Sequence, residues 1–509
     1  GTYFAYAVGM AIFGQSISGI HALLLAVNLL TIYFVFLLGR DLFDEWAGAC
    51  AAVIFGIASA SSTVLGMAAH ANHFVILFAV PALWLLWRCR RDQTNSRLFM
   101  AGLLFGVSFL MKQQAVFFLL FGFVFFLAVE FSDFRSRSRD AGPGLALRRS
   151  SSRGSLLGLA MALPLALTCI YLAAAGVFPK FYFWVFRYAR QYVSVASAPD
   201  GLEFLRRYLS ASSSADLGFR LLALFGFCAA LTNSRARQRV WFLAGLAFAS
   251  CAAVAVGLYF RPHYFILALP VMALLGGYGA AELRGFLTAR IAGIRSRPAL
   301  ATVLPLLAVL VAAGESLWAQ RDVFFRLTPR QIVERNYPDN PFIESLAVAD
   351  YLRKYEPTNA TLAVIGSEPQ IYFYSGLRSA TGYIYGYPLM ERQPYAARMQ
   401  QEMIREIEDG KPDCIVRVNY ENSWAPFPDS NRSVFEWCGR YLRQNYRLAG
   451  YVGQLPSGKL VAKWDGADAR PPASLDCLLV FRRNEARSLQ AKADGARDLD
   501  GKLQRHKTP

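Results

Sequence analysis

The sequence predicts a polytopic α-helical membrane protein with a C-terminal α/β domain on the extracytoplasmic side. Of its 509 residues, 55% are hydrophobic and only 17% are charged, whereas an average soluble domain has about 25% charged residues. Long apolar blocks with short polar connectors fill residues 1–318, and charged and turn residues return after Trp318. We therefore expect a membrane domain over 1–318, an α/β domain over 319–483, and a polar tail over 484–509 whose composition predicts disorder.

Ten apolar blocks predict transmembrane helices. A bilayer core needs roughly 17–25 apolar residues of helix, because lipid offers no hydrogen-bond partner to a free backbone amide. The predicted spans are 18–39, 46–60, 73–87, 98–111, 115–131, 155–177, 217–232, 240–259, 264–283 and 300–318. Residues 3–13 are too short to span a bilayer, and their Tyr and Phe content predicts an interfacial helix.

Basic residues are distributed unevenly between the two sets of connectors. Alternate connectors, starting with the one at Arg40, hold eighteen Lys and Arg residues, and the others hold eight. Because cytoplasmic connectors are enriched in Lys and Arg, the first set is predicted to face the cytoplasm. With ten spans, the domain after Trp318 then lies outside. The asymmetry also explains much of the formal charge of +18, so this charge does not predict a nucleic-acid partner.

The segment after Trp318 has the pattern of a small α/β domain. The predicted strands, rich in Val, Ile and Leu, are 361–366, 413–418 and 477–483. The predicted helices, with apolar residues at helical spacing, are 341–355, 394–408 and 433–445. Alternation of the two kinds of element favours a βαβ-like sheet.

Polar residues that the topology places at the outer membrane surface are candidate site residues, because ionisable groups near the bilayer are costly and often functional. Four short segments carry them: 111–114, 68–73, 259–264 and 180–192. The candidates are Lys112, Gln113, His70, Asn72, His73, Arg261, His263, Arg187 and Arg190. Arg187 and Arg190 lie among aromatic residues, as in an interfacial helix that binds a lipid phosphate.

Each candidate also has a purely structural interpretation. Lys112 could extend its ammonium towards water from a helix end, and Arg261 could flank a span. His70 and His73 could be hydrogen-bonded turn residues. Arg187 and Arg190 could anchor their helix to anionic headgroups. Convergence of these residues on one face is the stronger indication of a site.

Two sets of short signatures point to a family. Residues 13–43, 105–118 and 261–270 carry one set, and residues 364–391 with 411–418 carry the other. Together they resemble the polytopic glycosyltransferases related to protein O-mannosyltransferases and to the aminoarabinose transferase of lipid A. The likeness extends from Thr2 to about Val480.

The resemblance implies a GT-C fold and an enzyme of the bacterial plasma membrane. Its donor would be a hexose or pentose carried on polyprenyl phosphate, and its acceptor a glycolipid, cell-wall glycan or protein outside the cytoplasm. Lys112 would then contact the donor phosphate, with Arg261 and His263 at the mouth of the lipid-phosphate site.

The chain departs from this family in two places. The family's catalytic carboxylate precedes the interfacial helix that begins here at Thr2, so the general base and a first span are expected upstream of Gly1. The chain as given is therefore expected to be inactive alone. Related proteins often carry an acid where this chain has Asn72. Glu368 is a candidate contact for acceptor or donor, or alternatively a helix cap.

Other functions remain as alternatives at this stage. A transporter would also have many spans, but the sequence shows no inverted repeat. An O-antigen ligase-like enzyme or a non-catalytic binding protein is also compatible with the pattern. No cysteine or histidine motif typical of a metal site is present, and the sequence leaves a requirement for a divalent metal open. At most one disulfide could form in the outer domain, among Cys414, Cys438 and Cys477.

Overall fold

The structure is a computed structural model. It describes residues 1–141, 143–193, 196–212, 215–232, 237–290, 298–455, 457–464, 470–472 and 474–484. The chain divides into two compact units, Gly1–Arg326 and Leu327–Pro509. The tail predicted to be disordered lies outside the described residues from position 485 onward.

The first unit is built from helices in every predicted apolar block. Its principal helices are α1 (Thr2–Phe13), α2 (Ile17–Leu42), α3 (Glu45–Ser59), α4 (Ala71–Asp92), α5 (Asn95–Met111), α6 (Val116–Ala141), α7 (Pro143–Ala174), α8 (Phe178–Tyr182), α9 (Ala189–Val193), α10 (Ala198–Ala211), α11 (Leu217–Thr232), α12 (Arg237–Ala255) and α13 (Leu269–Arg290), followed by Pro298–Ala319. A 3₁₀ segment, Pro262–Ala268, leads directly into α13.

Six helical segments within the described residues are long and apolar enough to cross a membrane. They are Ile17–Leu42, Ala71–Asp92, Gln113–Phe134, Leu147–Ala174, Pro262–Ala289 and Thr302–Ala319. Helices α3, α5, α11 and part of α12 are apolar but shorter. The chain is therefore a multi-pass membrane protein.

Local sequence explains how the first helices begin and pack. The Ser16 side chain accepts a hydrogen bond from Gly19 N (3.0 Å) at the start of α2, and Asp44 accepts one from Ala47 N (2.8 Å) at the start of α3. Both are standard N-caps. Helices α2 and α3 approach closely at Gly39 and Gly48, where a Cβ on Gly48 would lie 2.7 Å from the Phe36 carbonyl oxygen. Small residues allow such contact between membrane helices.

Two features of the first unit, the connector after residue 131 and helix α10, differ from the sequence-based expectation. The described residues of the predicted cytoplasmic connector after residue 131 are helical, because α6 and α7 extend into it from either side. The predicted interfacial helix over 180–192 is present as α8, a π-helical segment Phe183–Tyr188, and α9. Helix α10, which follows it, was not predicted.

The second unit contains a mixed six-stranded sheet of order β2-β1-β3-β6-β4-β5. The strands are β1 (Thr361–Ile365), β2 (Arg378–Ser379), β3 (Cys414–Asn419), β4 (Tyr446–Gln454), β5 (Leu460–Trp464) and β6 (Cys477–Arg483). Strand β1 pairs in parallel with β2 and β3, and β6 is antiparallel to β3 and β4. The three predicted strands are thus β1, β3 and β6, and the βαβ-like arrangement holds only for the parallel part.

Helices cover this sheet where the apolar spacing predicted them. They are Phe342–Tyr355, Ala396–Gly410 and Ser433–Asn445. The core of the second unit includes Val364, Val416 and Val480, each fully buried. Cys414, Cys438 and Cys477 are free thiols, so the one disulfide that the sequence allowed is not formed.

Candidate functional site

Lys112 lies in the short turn between α5 and α6 and is the centre of a polar cluster. Its backbone is extended (φ −161°, ψ 139°), which ends α5 and turns the chain into the 3₁₀ segment Gln113–Ala115. The Lys112 ammonium donates a hydrogen bond to Asn72 Oδ1 (3.0 Å) and lies 4.2 Å from the centroid of the Tyr264 ring. Burial, together with the nearby charge of Arg261, lowers the pKa of Lys112 to about 7.

Asn72 joins three segments of the chain at this point. It lies in the first turn of α4, is fully buried, and donates from Nδ2 to the main-chain carbonyl of His263. Its Oδ1 accepts from Lys112. One amide therefore connects the start of α4 to the turn after α5 and to the segment before α13.

Three histidines surround this connection. His70 and His263 stack face to face, with ring centroids 4.2 Å apart and 12° between planes. His73 is fully buried, with Nδ1 3.1 Å from Asn28 Oδ1 of α2. Burial lowers the pKa of His70 to about 4, with a further contribution from Lys112, so His70 is neutral at pH 7. The cluster thus has one titratable cation at its centre and uncharged rings beside it.

Gln113 and Arg261 lie at the edge of the cluster. The Gln113 amide donates to the Val185 carbonyl (3.0 Å), which brings the π-helical segment Phe183–Tyr188 against the turn. The Arg261 guanidinium is exposed and lies 5.5 Å from the Tyr259 ring centroid. Arg187 and Arg190 are exposed on this segment and on α9. The structure thus brings Lys112, Asn72, His70, His73 and His263 together and shows no direct contact between them and Arg187 or Arg190.

Several residues of the site were not predicted. Tyr6 of α1 donates to the Ala69 carbonyl, and Thr2 Oγ1 donates to the Met111 carbonyl (2.8 Å), so α1 packs beside the cluster. Asn28 and Tyr264 were also missed. Asn28 had a usable signal, since it is a polar residue within an apolar span.

The cluster has the chemistry of an anion receptor. An ammonium offers three donors, and among the residues that the structure describes only one of them is used, on Asn72. In the part of the chain that the structure describes, no carboxylate lies within ion-pair distance of Lys112, and no group of three or more His, Cys, Asp or Glu residues could hold a metal ion. The positive charge is therefore available to a ligand.

Glu368 belongs to the second unit and lies after β1. It is 2% exposed, and its carboxylate accepts a hydrogen bond from the Gln370 side chain. It does not cap the next helix, Gln370–Ser375, whose N-cap is Pro369, so the cap interpretation is wrong. A second buried acid, Glu344, accepts from the Tyr420 hydroxyl (3.1 Å). Burial raises the pKa of both carboxyls.

Comparison with known proteins identifies the fold. Residues 1–147 match the family model described as dolichyl-phosphate-mannose-protein mannosyltransferase, which is less than a third of the chain. No curated protein matches the sequence. ArnT from Cupriavidus metallidurans, solved bound to undecaprenyl phosphate, is 14% identical over 92% of this chain and 88% of its own, with a TM-score of 0.53. The chain has the GT-C fold. Its predicted fold class is therefore confirmed.

Two further solved structures are similar over most of the chain. ArnT from the same organism in the apo state is 13% identical over 94% of this chain and 86% of its own, with a TM-score of 0.51. The archaeal oligosaccharyltransferase AglB from Archaeoglobus fulgidus, in complex with an inhibitory peptide and a dolichol-phosphate, is 12% identical over 95% of this chain and 68% of its own, with a TM-score of 0.47. At these identities the ArnT structures show the GT-C fold, and the function is argued below from the residues.

Proposed function

We propose that this GT-C protein is a membrane glycosyltransferase that binds a polyprenyl-phosphate sugar donor at Lys112. The observation that carries the proposal is the partner set of Lys112, which consists of an amide oxygen and an aromatic ring. A partly buried ammonium without a counter-ion is costly to the fold. A lipid-linked phosphate would supply the missing negative charge.

The surroundings of Lys112 suit a lipid headgroup. Gln113 and Arg261 are exposed beside it and offer further donors to phosphate oxygens. The adjoining segment carries exposed aromatic side chains at Tyr182, Trp184 and Phe186, which favour the membrane interface. The match of residues 1–147 to the mannosyltransferase family and the undecaprenyl phosphate bound by ArnT support the same ligand class.

In the reaction that we propose, the bond between the sugar C1 and a phosphate oxygen breaks, and its electron pair stays on the lipid phosphate. An acceptor hydroxyl forms the new bond to C1, and its proton passes to a carboxylate base. Lys112 would stabilise the charge that develops on the departing phosphate, the usual role of a preorganised cation. We assign the base to no residue of this chain.

The orientation of the protein in the membrane forms part of the proposal. The Lys and Arg asymmetry predicts that the Lys112 turn and the second unit face the outside of a bacterial plasma membrane. A reporter fused after Arg149 should then be active as a cytoplasmic reporter, and one fused after Pro357 as an extracytoplasmic one. The reverse pattern would contradict the topology and, with it, access to an external acceptor.

Ligand binding tests the proposal directly, without depending on the unassigned base. We would measure the affinity of the purified full chain for polyprenyl phosphate in detergent. Lys112→Ala should weaken binding more than about tenfold, because a charge-assisted hydrogen bond contributes ~1.5–3 kcal/mol. Lys180→Ala is the matched control, since Lys180 is exposed on α8. Equal affinities for the wild type and Lys112→Ala would refute the proposed site.

No comparison favours a transporter or a ligase-like enzyme. Glu368 and Glu344, buried near the ends of β1 and β3, are the acids of the second unit that we would substitute first when the acceptor is sought. Parallel strands commonly present ligand-binding residues at their carboxyl ends.

A further inference from the structure

We infer that Asn72 is a positioning residue that holds the Lys112 ammonium in place without giving it a counter-ion, and that this neutral support makes the site selective for an anionic headgroup. The inference rests on the proposed function, because it concerns the same site. It assigns to Asn72 a role other than direct ligand contact.

The hydrogen bonds of Asn72 fix the direction of its amide. Nδ2 donates to the His263 carbonyl, so Oδ1 must point the other way, and there it accepts from Lys112 at 3.0 Å. Both polar atoms are used inside the protein, and the side chain is fully buried. One N–H of Nδ2 has no assigned partner, but the side chain is fully buried, so Asn72 acts on a ligand only through Lys112.

Among side chains of this size, only an amide satisfies both partners. A carboxylate could accept from Lys112 but could not donate to His263, and it would neutralise the ammonium. A leucine could do neither. Asparagine thus holds the ammonium at a fixed place while leaving its charge uncompensated, and an incoming anion gains the full charge–charge interaction.

The other charged and titratable groups around Lys112 do not remove this charge. In the described part of the chain they are His70 before α4, His73 in α4, and Arg261, His263 and Tyr264 before α13. None of them is an acid at neutral pH that could pair with an ammonium. The choice between amide and carboxylate at position 72 therefore decides whether Lys112 has a counter-ion.

The test compares Asn72→Asp with Asn72→Leu in the purified full chain. Asn72→Asp should weaken binding of polyprenyl phosphate at least tenfold and should raise by more than one unit the pH at which binding is lost. Asn72→Leu should weaken binding without raising that pH. Asn95→Asp, at an exposed position at the other end of α5, is the matched control and should behave as the wild type. Inorganic phosphate, tested in parallel, separates recognition of the headgroup from recognition of the lipid.

A second readout does not need the ligand. The rate at which an amine-specific reagent modifies Lys112 reports the fraction of neutral amine, and Asn72→Asp should shift its pH profile upward. An unchanged modification profile and an unchanged affinity in Asn72→Asp would overturn the inference. Equal losses of affinity in Asn72→Asp and Asn72→Leu, with no shift in the pH at which binding is lost, would also overturn it, because they would indicate a merely structural role. If Lys112→Ala binds polyprenyl phosphate normally, the proposed function fails instead, and the modification profile still tests Asn72.

Discussion

A buried cation, Arg153, and a partly buried one, Lys112, lie at opposite ends of the helices of the membrane unit, and their partners differ. Arg153 of α7 forms an ion pair with Glu130 of α6 (2.7 Å), in which both side chains are 5% exposed. Lys112 faces an amide and a ring. Asn72 and Cys89, which contact Lys112 and Arg153 respectively, are seventeen positions apart on α4, or about 25 Å at the helical rise.

The difference indicates what each cation is for. Arg153 also donates to Cys89, and Ser150 donates to the second oxygen of Glu130, so the two charges are compensated within the fold, while Arg153 Nε is buried without a hydrogen-bond partner among the described residues. Lys112 is only partly satisfied. A buried cation that is paired with a carboxylate connects helices, whereas a cation with only neutral partners retains the capacity to bind a charged ligand.

The largest loss of stability should come from breaking the ion pair between Arg153 and Glu130. Arg153→Ala leaves Glu130 buried without a counter-charge, and such truncations cost about 3–5 kcal/mol. We expect a large fall in the thermal unfolding temperature of the protein in detergent. The double variant Arg153→Met/Glu130→Leu should recover most of the loss, because neither charge then remains. If the single variant is as stable as the wild type, the pair does not hold α6 to α7.

Replacement of Lys112 should change the stability of the protein in the opposite direction. Its pKa is about 7 in the folded protein, against 10.5 for an ordinary lysine, so the ammonium destabilises the fold below pH 10.5 and most fully below pH 7. Lys112→Met should therefore stabilise the ligand-free protein, by about 1–4 kcal/mol at pH 6, with a smaller gain towards pH 10.

Thermal unfolding at the two pH values measures this effect. Lys180→Met, at an exposed position, is the control and should leave the unfolding temperature unchanged at both pH values. A loss of stability in Lys112→Met at pH 6 would mean that the ammonium supports the fold, as Arg153 does, and the contrast between the two cations would disappear.

The helices were predictable, whereas the partners of Lys112 were not. Each apolar block forms a helix because lipid offers no hydrogen-bond partners, so the backbone must form its hydrogen bonds within the segment. Lys112 was identified from its place between two spans. Its contact with Asn72 joins residues 40 positions apart, and the contact of Asn72 with His263 joins residues 191 apart. Such contacts depend on how the helices pack, which no local pattern encodes.

The second unit shows the same limit. Strands β1, β3 and β6 are runs of Val, Ile and Leu, and their buried pattern is visible in the sequence. Strand β4 is equally buried but contains Gly450 and Gly453. A Cβ on Gly450 would lie 2.3 Å from the carbonyl oxygen of Lys463 in β5, so the pairing of β4 with β5 requires glycine at this position. In the sequence, however, a glycine within an apolar run indicates a bulge or the end of a strand, and for this reason β4 was not predicted.

The pH dependence of binding distinguishes the two cations further. The ammonium of Lys112 is the form that binds an anion, and above pH 7 its population falls up to tenfold per pH unit. Affinity for polyprenyl phosphate should therefore fall between pH 8 and 9 at close to that rate. Lys112→Arg should lack this fall, because a guanidinium stays charged.

The measurement is a titration of binding above pH 7, where the phosphate is already a dianion, since its second pKa is about 6. Asn95→Asp, which changes a charge far from Lys112, serves as the control here too. A wild-type affinity that stays constant to pH 9 would mean that Lys112 does not hold the ligand's charge.

The smallest effect should come from an exposed ion pair, which extends the comparison to a third environment. Arg207 contacts Glu203 at 2.8 Å along α10, with side chains 71% and 44% exposed. Water and salt screen such a pair, so Arg207→Ala should leave the unfolding temperature unchanged. The contact is nearly as short as that of Arg153 with Glu130, but it is exposed and lies within one helix. Equal losses in Arg207→Ala and Arg153→Ala would show that distance alone sets their strength. The energetic contrast between Arg153 and Lys112 could then no longer be attributed to desolvation.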